Sequence, residues 1–200
     1  MEMKSVWQGN SHFLRLITYI LVSLTLSACD KKESTNKSND KVEKSIVLSA
    51  DGIGPINATT SFNMHQLTLA FSDYNVVEEV NYQDGNSFPI IRISEGVKTI
   101  MTVIPDTSRQ NIYSVMIEDN IVTNNLGHHL GSLYSNIYAY GQTEECQAGT
   151  DDMAGKVLCY APKTPNILYI FKGSGNTDSN MPSADVLQGW GLESVIWRPK

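Results

Sequence analysis

Cys146 and Cys159 are the first residues whose type and spacing suggest chemistry. Outside the cytoplasm such a pair usually closes a disulfide. The loop it would close holds roughly 14 residues, for a chain-entropy stabilisation of about 3 kcal/mol. A redox pair is the alternative, but redox motifs space their cysteines more closely. His128-His129 is a second candidate, with Asp151-Asp152 or Glu144-Glu145 as partners for a metal. Zinc needs three or four ligands held in shape, and no HExxH or comparable spacing is present. Adjacent histidines on a strand would also point to opposite faces. The pair therefore reads as a loop or helix entry without a ligand. Asn176-Thr-Asp-Ser-Asn180 is rich in oxygen but lacks the terminal Glu of a calcium loop, and reads as a solvated turn. There is no Gly-x-Ser-x-Gly elbow and no phosphate loop. Gly52-Ile-Gly54 and Gly173-Ser-Gly175 are bare Gly-x-Gly pairs, better explained as turns. Trp190 and Trp197 read as packing residues rather than a sugar platform. The residues thus point to no catalytic group, no metal and no cofactor, and the expectation is a protein that is not an enzyme.

The elements that position these residues begin near Ile46. Gly52-Ile-Gly54-Pro55 leads to a helix starting near Thr60 or Ser61, both good N-caps. Met64, Leu67 and Phe71 then fall on one helical face. Strands follow over 74–82, 89–94, 98–104 and 111–117, with turns at Asp84-Gly85, Gly96 and Pro105-Asp106. The second half repeats this grammar. Leu126-Gly127 opens it, and Leu130, Leu133 and Ile137 mark a short helix begun near Ser132. Strands follow over 142–147, 156–161 and 166–172. An insertion over 173–190 carries a short helix capped by Ser183, and a strand over 192–197 closes the half. The two closing strands share a local pattern, Ile112-Tyr-Ser-Val-Met-Ile against Leu192-Glu-Ser-Val-Ile-Trp. The expected fold is α+β: two tandem helix-plus-antiparallel-sheet repeats, 46–120 and 121–200, packed as one domain because a sheet must bury a face. This reading places Cys146 and Cys159 on adjacent strands of one hairpin. Antiparallel neighbours approach to about 4.5–5.5 Å between Cα atoms, a separation a disulfide can span.

Ahead of that domain lies an export signal. Lys4 and Arg15 precede an apolar run from Leu16 to Ser27. The run is shorter than the roughly 20 residues a spanning helix needs. Leu26-Ser27-Ala28-Cys29 resembles the lipobox of bacterial lipoproteins, which implies cleavage after residue 28 and acylation of Cys29 as the new N-terminus. Several acyl chains at about 0.8 kcal/mol per buried methylene anchor a protein stably. Asp30, directly after the acylated cysteine, favours the inner membrane over the outer, although Lys31 does not reinforce that signal. Residues 30–45 are almost wholly polar with mixed charge and cannot offset their ordering entropy. They read as a disordered tether, with a solvated charged helix as the alternative.

The chain of 200 residues carries 15 Lys and Arg against 21 Asp and Glu, a formal net charge of -6. Nucleic-acid binding needs a basic patch, and none is visible. A basic stripe for anionic lipid is also missing, so membrane contact is expected through the lipid anchor alone.

The run Met181-Pro-Ser-Ala-Asp-Val-Leu-Gln-Gly-Trp190, followed by Val195-Ile-Trp-Arg198, resembles the end of the YfeY-type family. The resemblance extends through Gly52-Ile-Gly54, Leu133-Tyr134 and both late cysteines. It implies a small envelope lipoprotein of Gram-negative bacteria, regulated by the envelope-stress sigma factor RpoE and without an established biochemical function. Asp30 departs from the small residue expected after the lipidated cysteine of an outer-membrane member. Within the terminal motif, Pro182 and Ser183 would start a short helix, Leu187 and Trp190 bury its face, and Trp197 anchor the last strand. The leading functional expectation is a non-catalytic envelope lipoprotein that binds an envelope protein or another envelope component. An envelope hydrolase and a small-ligand carrier are the alternatives.

Overall fold

Two four-stranded meanders, joined edge to edge in one sheet, form the frame of the molecule. The structure, a computed structural model, describes residues 45–83, 85–175 and 179–200. The export signal, Cys29, the tether up to Lys44, Asp84 of the expected Asp84-Gly85 turn and part of the Asn176–Asn180 turn lie outside the described residues. In chain order the elements are β1 (Ile46–Ser49), β2 (Gly52–Ile53), β3 (Ile56–Asn57), α1 (Met64–Ala70), β4 (Asn75–Gln83), β5 (Asn86–Glu95), β6 (Lys98–Pro105), β7 (Ile112–Ile117) and β8 (Val122–Asn124). They continue with β9 (Cys146–Ala148), β10 (Lys156–Ala161), β11 (Thr164–Lys172), α2 (Ala184–Leu187) and β12 (Gly191–Trp197).

The large sheet has the order β4-β5-β6-β7-β12-β11-β10-β9, antiparallel throughout. Each half is a meander of sequence-adjacent strands, and the halves join where β7 meets β12. There Met116 lies opposite Ile196, and Ile117 opposite Val195. The two strands that share a sequence pattern therefore sit side by side. A small second sheet, β3-β2-β1-β8, packs on one face of the large one. Ile46, Leu48, Ile53 and Val122 of the small sheet share a core with Ile91, Val103, Val115, Phe171 and Trp197 of the large one. At roughly 25 cal/mol per Å² of apolar surface, this shared burial is the main force holding the two sheets together.

The expected α+β class of two helix-plus-sheet repeats is corrected here: the fold is mainly β, and the halves are parts of one continuous sheet. Among the described residues, helix is confined to α1, of seven residues, α2, of four, and two single 3₁₀ turns. Helix α1 does bury the Leu67 and Phe71 face, but its N-cap is Asn63, whose Oδ1 accepts the Gln66 N–H at 2.9 Å. Ser61 is instead drawn into an extended bridge with Asn111. The expected helix from Ser132 is absent for a similar reason. Its backbone is used elsewhere: the Gly131 N–H donates to the Leu192 carbonyl, Leu192 donates to Ser132, and Tyr134 donates to Trp190. One 3₁₀ turn, Tyr134–Asn136, is all that remains. Tertiary pairing with the entry to β12 has overridden a local apolar pattern that suits a helix.

Close approaches at Gly52 and Gly173, as at Gly149 beyond β9, leave no room for a side chain. A Cβ on Gly52 would lie 2.0 Å from the Ile56 carbonyl oxygen in the tight β1–β3 turns, and one on Gly173 would lie 2.2 Å from the Trp190 ring. Trp190 is 2% exposed and Trp197 0%, so both pack in the core.

Candidate binding surface

Residues with catalytic side-chain types are dispersed or neutralised by their surroundings. His128, in the loop after β8, is tied to Tyr169 of β11. The Asn124 Oδ1 accepts the Leu126 N–H at 2.8 Å, which fixes the amide, and its Nδ2 donates to the Tyr169 hydroxyl at 2.9 Å. The hydroxyl also shares a hydrogen bond with His128 Nδ1, 2.9 Å away. Burial, helped by the neighbouring His129, holds the His128 pKa below its ordinary value. Burial pushes the Tyr169 hydroxyl up to about 12. Burial thus favours the neutral form of both groups, and the trio forms a polar clasp between the two sheets. His129 points elsewhere, with Nδ1 3.0 Å from the Leu130 carbonyl oxygen. Asp151 and Asp152 open an exposed 3₁₀ turn, and Glu144 and Glu145 flank β9. Among the described residues no three His, Cys, Asp or Glu side chains converge as metal ligands.

Cys146 of β9 and Cys159 of β10 are direct cross-strand partners joined by a disulfide, with Cα atoms 4.0 Å apart. The Tyr134 hydroxyl lies 3.4 Å from the Cys146 sulfur and donates to the Gln142 carbonyl. Beside the bridge, a cleft of about 140 Å³ is lined by Glu144, Glu145, Leu158 and Tyr160. A second cleft, of about 370 Å³, lies beside the turn-proximal part of β5, between Phe88, Pro105, Asp106 and Arg109. Asp106 there accepts hydrogen bonds from the Asn111 and Ser108 side chains, which lower its pKa to about 2. That carboxylate closes its own loop and is not poised to transfer a proton.

The face of the large sheet opposite the core mixes ion pairs with apolar side chains in both halves, and Ile90 is buried there in the first. In the first meander, Arg92 donates to Glu79 at 2.9 and 3.0 Å and to Thr99 at 3.1 Å, and Thr102 donates to Glu118 at 2.9 Å. In the second, Leu168 and Ile170 are buried on this face, away from the core. Lys156 and Lys172 cap them by gripping Glu193 at 2.7 and 3.3 Å. Burial pushes the Glu193 carboxyl up, but the two ammonium groups outweigh it and hold the pKa below its ordinary value.

The feature most suited to binding was not singled out from sequence. Strand β4 is an outer edge of the large sheet, nine residues long, paired to β5 without a register shift. By contrast β5–β6, β6–β7 and β10–β11 all carry bulges. The hairpin overhangs the core, so Val77, Val80 and Tyr82 are 39%, 60% and 75% exposed. Edge strands are commonly blunted by charge, Pro, bulges or short length, and of these β4 has only the charges of Glu78 and Glu79. The sequence does hold a signal: Glu78 and Glu79 occupy both faces of one strand, a pattern unsuited to a strand covered on either side.

Comparison with known proteins places this fold. The family described as Protein of unknown function (DUF1131) matches residues 34–199. The Escherichia coli (strain K12) protein named "Uncharacterized protein YfeY" is 26% identical over 183 residues, covering 88% of this chain and 93% of that one. The crystal structure of the uncharacterized protein yfeY from Escherichia coli has the same fold. Its TM-score is 0.64 at 23% identity, over 76% of this chain and 98% of that one. With most of its length matched, the chain belongs to the DUF1131 family.

Proposed function

We propose that this protein is a membrane-anchored envelope lipoprotein that acts without catalysis, by holding an envelope protein or another envelope component, and serves under envelope stress. The single observation that carries the reading is the open β4 edge with Val80 and Tyr82 standing out from it. Exposed apolar side chains gathered on one element favour contact with a partner. The anchor rests on the Leu26-Ser27-Ala28-Cys29 lipobox, and residues 30–45 supply the tether. The stress link rests on the resemblance to the YfeY-type family. Mild acidity and scattered lysines and arginines favour a protein over nucleic acid as partner.

The test is photo-crosslinking in intact cells. A crosslinking residue at position 80 or 82 should trap a discrete envelope component, and one at position 147 on β9 should not. Cys29→Ser should lose fatty-acid labelling, release the protein to the soluble periplasm and weaken the crosslink. Equal capture at all three positions, or fatty-acid labelling that survives Cys29→Ser, would count against the reading.

A further inference from the structure

We infer that β4 binds its partner by strand addition, and that the occupant is an extended polypeptide segment carrying a lysine or arginine opposite Glu78. The inference rests on the proposed binding role and names the class of partner. In an antiparallel edge strand, every second residue turns its N–H and C=O away from the sheet. Over the nine residues of β4 this leaves a regular row of unpaired backbone groups, with no bulge to interrupt it. Such a row is a template for one more strand.

Side chains set which strand it accepts. Val76, Glu78, Val80 and Tyr82 share one face of β4 by alternation. Val76 is buried against α1 and the core, so the face available to a newcomer is Glu78, Val80 and Tyr82. On the other face Glu79 is already neutralised by Arg92 at 2.9 Å. The Arg92 hydrogen bond lowers the Glu79 pKa, which marks that carboxylate as satisfied. Glu78 has no such partner among the described side chains, and stands as the one uncompensated charge of the strand. A cation directly opposite would complete it, and apolar residues would cover Val80 and Tyr82. Pairing of β4 with a second copy of itself is disfavoured. In the central registers it brings the Glu78 carboxylates together, between chains that each carry a net charge of -6.

The test uses the full chain in detergent micelles with two synthetic octapeptides of alternating Val and Thr, one with a central Lys and the other with a central Glu. Amide hydrogen exchange reports the pairing. The Lys peptide should slow exchange of outward-facing β4 amides by roughly tenfold, since a newly paired amide must open before it exchanges. It should bind roughly threefold tighter than the Glu peptide, the scale of one cross-strand charge pair. Glu78→Lys should reverse that preference and Glu78→Gln should abolish it, and both substitutions are at an exposed position. Unprotected β4 amides with either peptide, or protection with no preference between them, would overturn strand addition. Concentration-dependent protection of peptide-free protein, with a dimer in sedimentation, would give the edge to a second copy and overturn it equally. A cellular crosslink at positions 80 and 82 without amide protection would leave the binding role standing and remove only the strand. Amide protection without any cellular crosslink would do the reverse.

Discussion

Strands β4 and β9 occupy equivalent places, each the first strand of its meander and each an outer edge of the large sheet. They are finished in opposite ways. Strand β9 is three residues long, covalently joined to β10, and followed by a loop that packs tightly enough for a Cβ on Gly149 to lie 2.0 Å from the Met153 carbonyl oxygen. Strand β4 is nine residues long, regular and held by main-chain pairing, with one ion pair across to β5. One sheet thus has a closed end and an open end. Exposed edges carry an aggregation hazard that folds usually suppress. The repeated frame suppresses it at β9 by shortness and a covalent bond, and leaves at β4 a long edge guarded by the charges of Glu78 and Glu79 alone.

The largest effect should come from unmaking the closed end. Reduction, or Cys146→Ser with Cys159→Ser, frees a loop of 13-residue separation, and the loop-entropy relation puts the loss near 3 kcal/mol. Chemical denaturation of oxidised and reduced protein should show it. Amide exchange should accelerate in β9 and β10 and stay unchanged in β4. Loss of protection at β4 as well would mean that the ends are coupled and the contrast is false.

Much of this contrast was legible in residue patterns, because strands and turns are local. The strands over 89–94 and 98–104 with their bounding turns, and the cysteine pairing on one hairpin, follow from neighbours in sequence. The expected helix near Ser132 failed because its backbone donors and acceptors were claimed by β12, more than fifty residues away. The His128–Tyr169 clasp was hidden for the same reason, since nothing near Tyr169 in sequence announces a histidine partner. The edge status of β4 is also non-local. Only the paired Glu78 and Glu79 hinted that neither side of this strand would be covered.

A smaller effect should appear at the open end in acid. The Arg92 hydrogen bond lowers the Glu79 pKa below its ordinary 4.5, against the opposing effect of burial and with help from the Arg92 charge. A carboxylate depressed in the folded state contributes stability that is fully present above its unfolded value and is lost as pH falls through the folded one. The window therefore opens near pH 4.5 and extends below it. Across it, β4 and β5 amides should exchange faster once intrinsic rates are corrected, while β9, held by a covalent bond, should not respond. Arg92→Met should remove the β4 response. A pH response at β9 equal to that at β4 would show that the two edges are not held by different forces.

The smallest change in stability should come from the two apolar residues proposed to meet the partner. Val80 and Tyr82 overhang the core, at 60% and 75% exposure, so little apolar surface is lost by replacing them. Threonine keeps the β-branching that suits a strand. Val80→Thr with Tyr82→Thr should therefore leave unfolding free energy within about 0.5 kcal/mol of the parent, as surface changes away from special features usually do. The same double variant should lose most of the capture by a crosslinker placed at position 77 of β4, because two apolar contacts leave the interface together. A large fall in stability would show that the hairpin tip is packed, so that the open end is open only in appearance. Unchanged stability with undiminished capture would keep the fold contrast and move the contact elsewhere on the sheet.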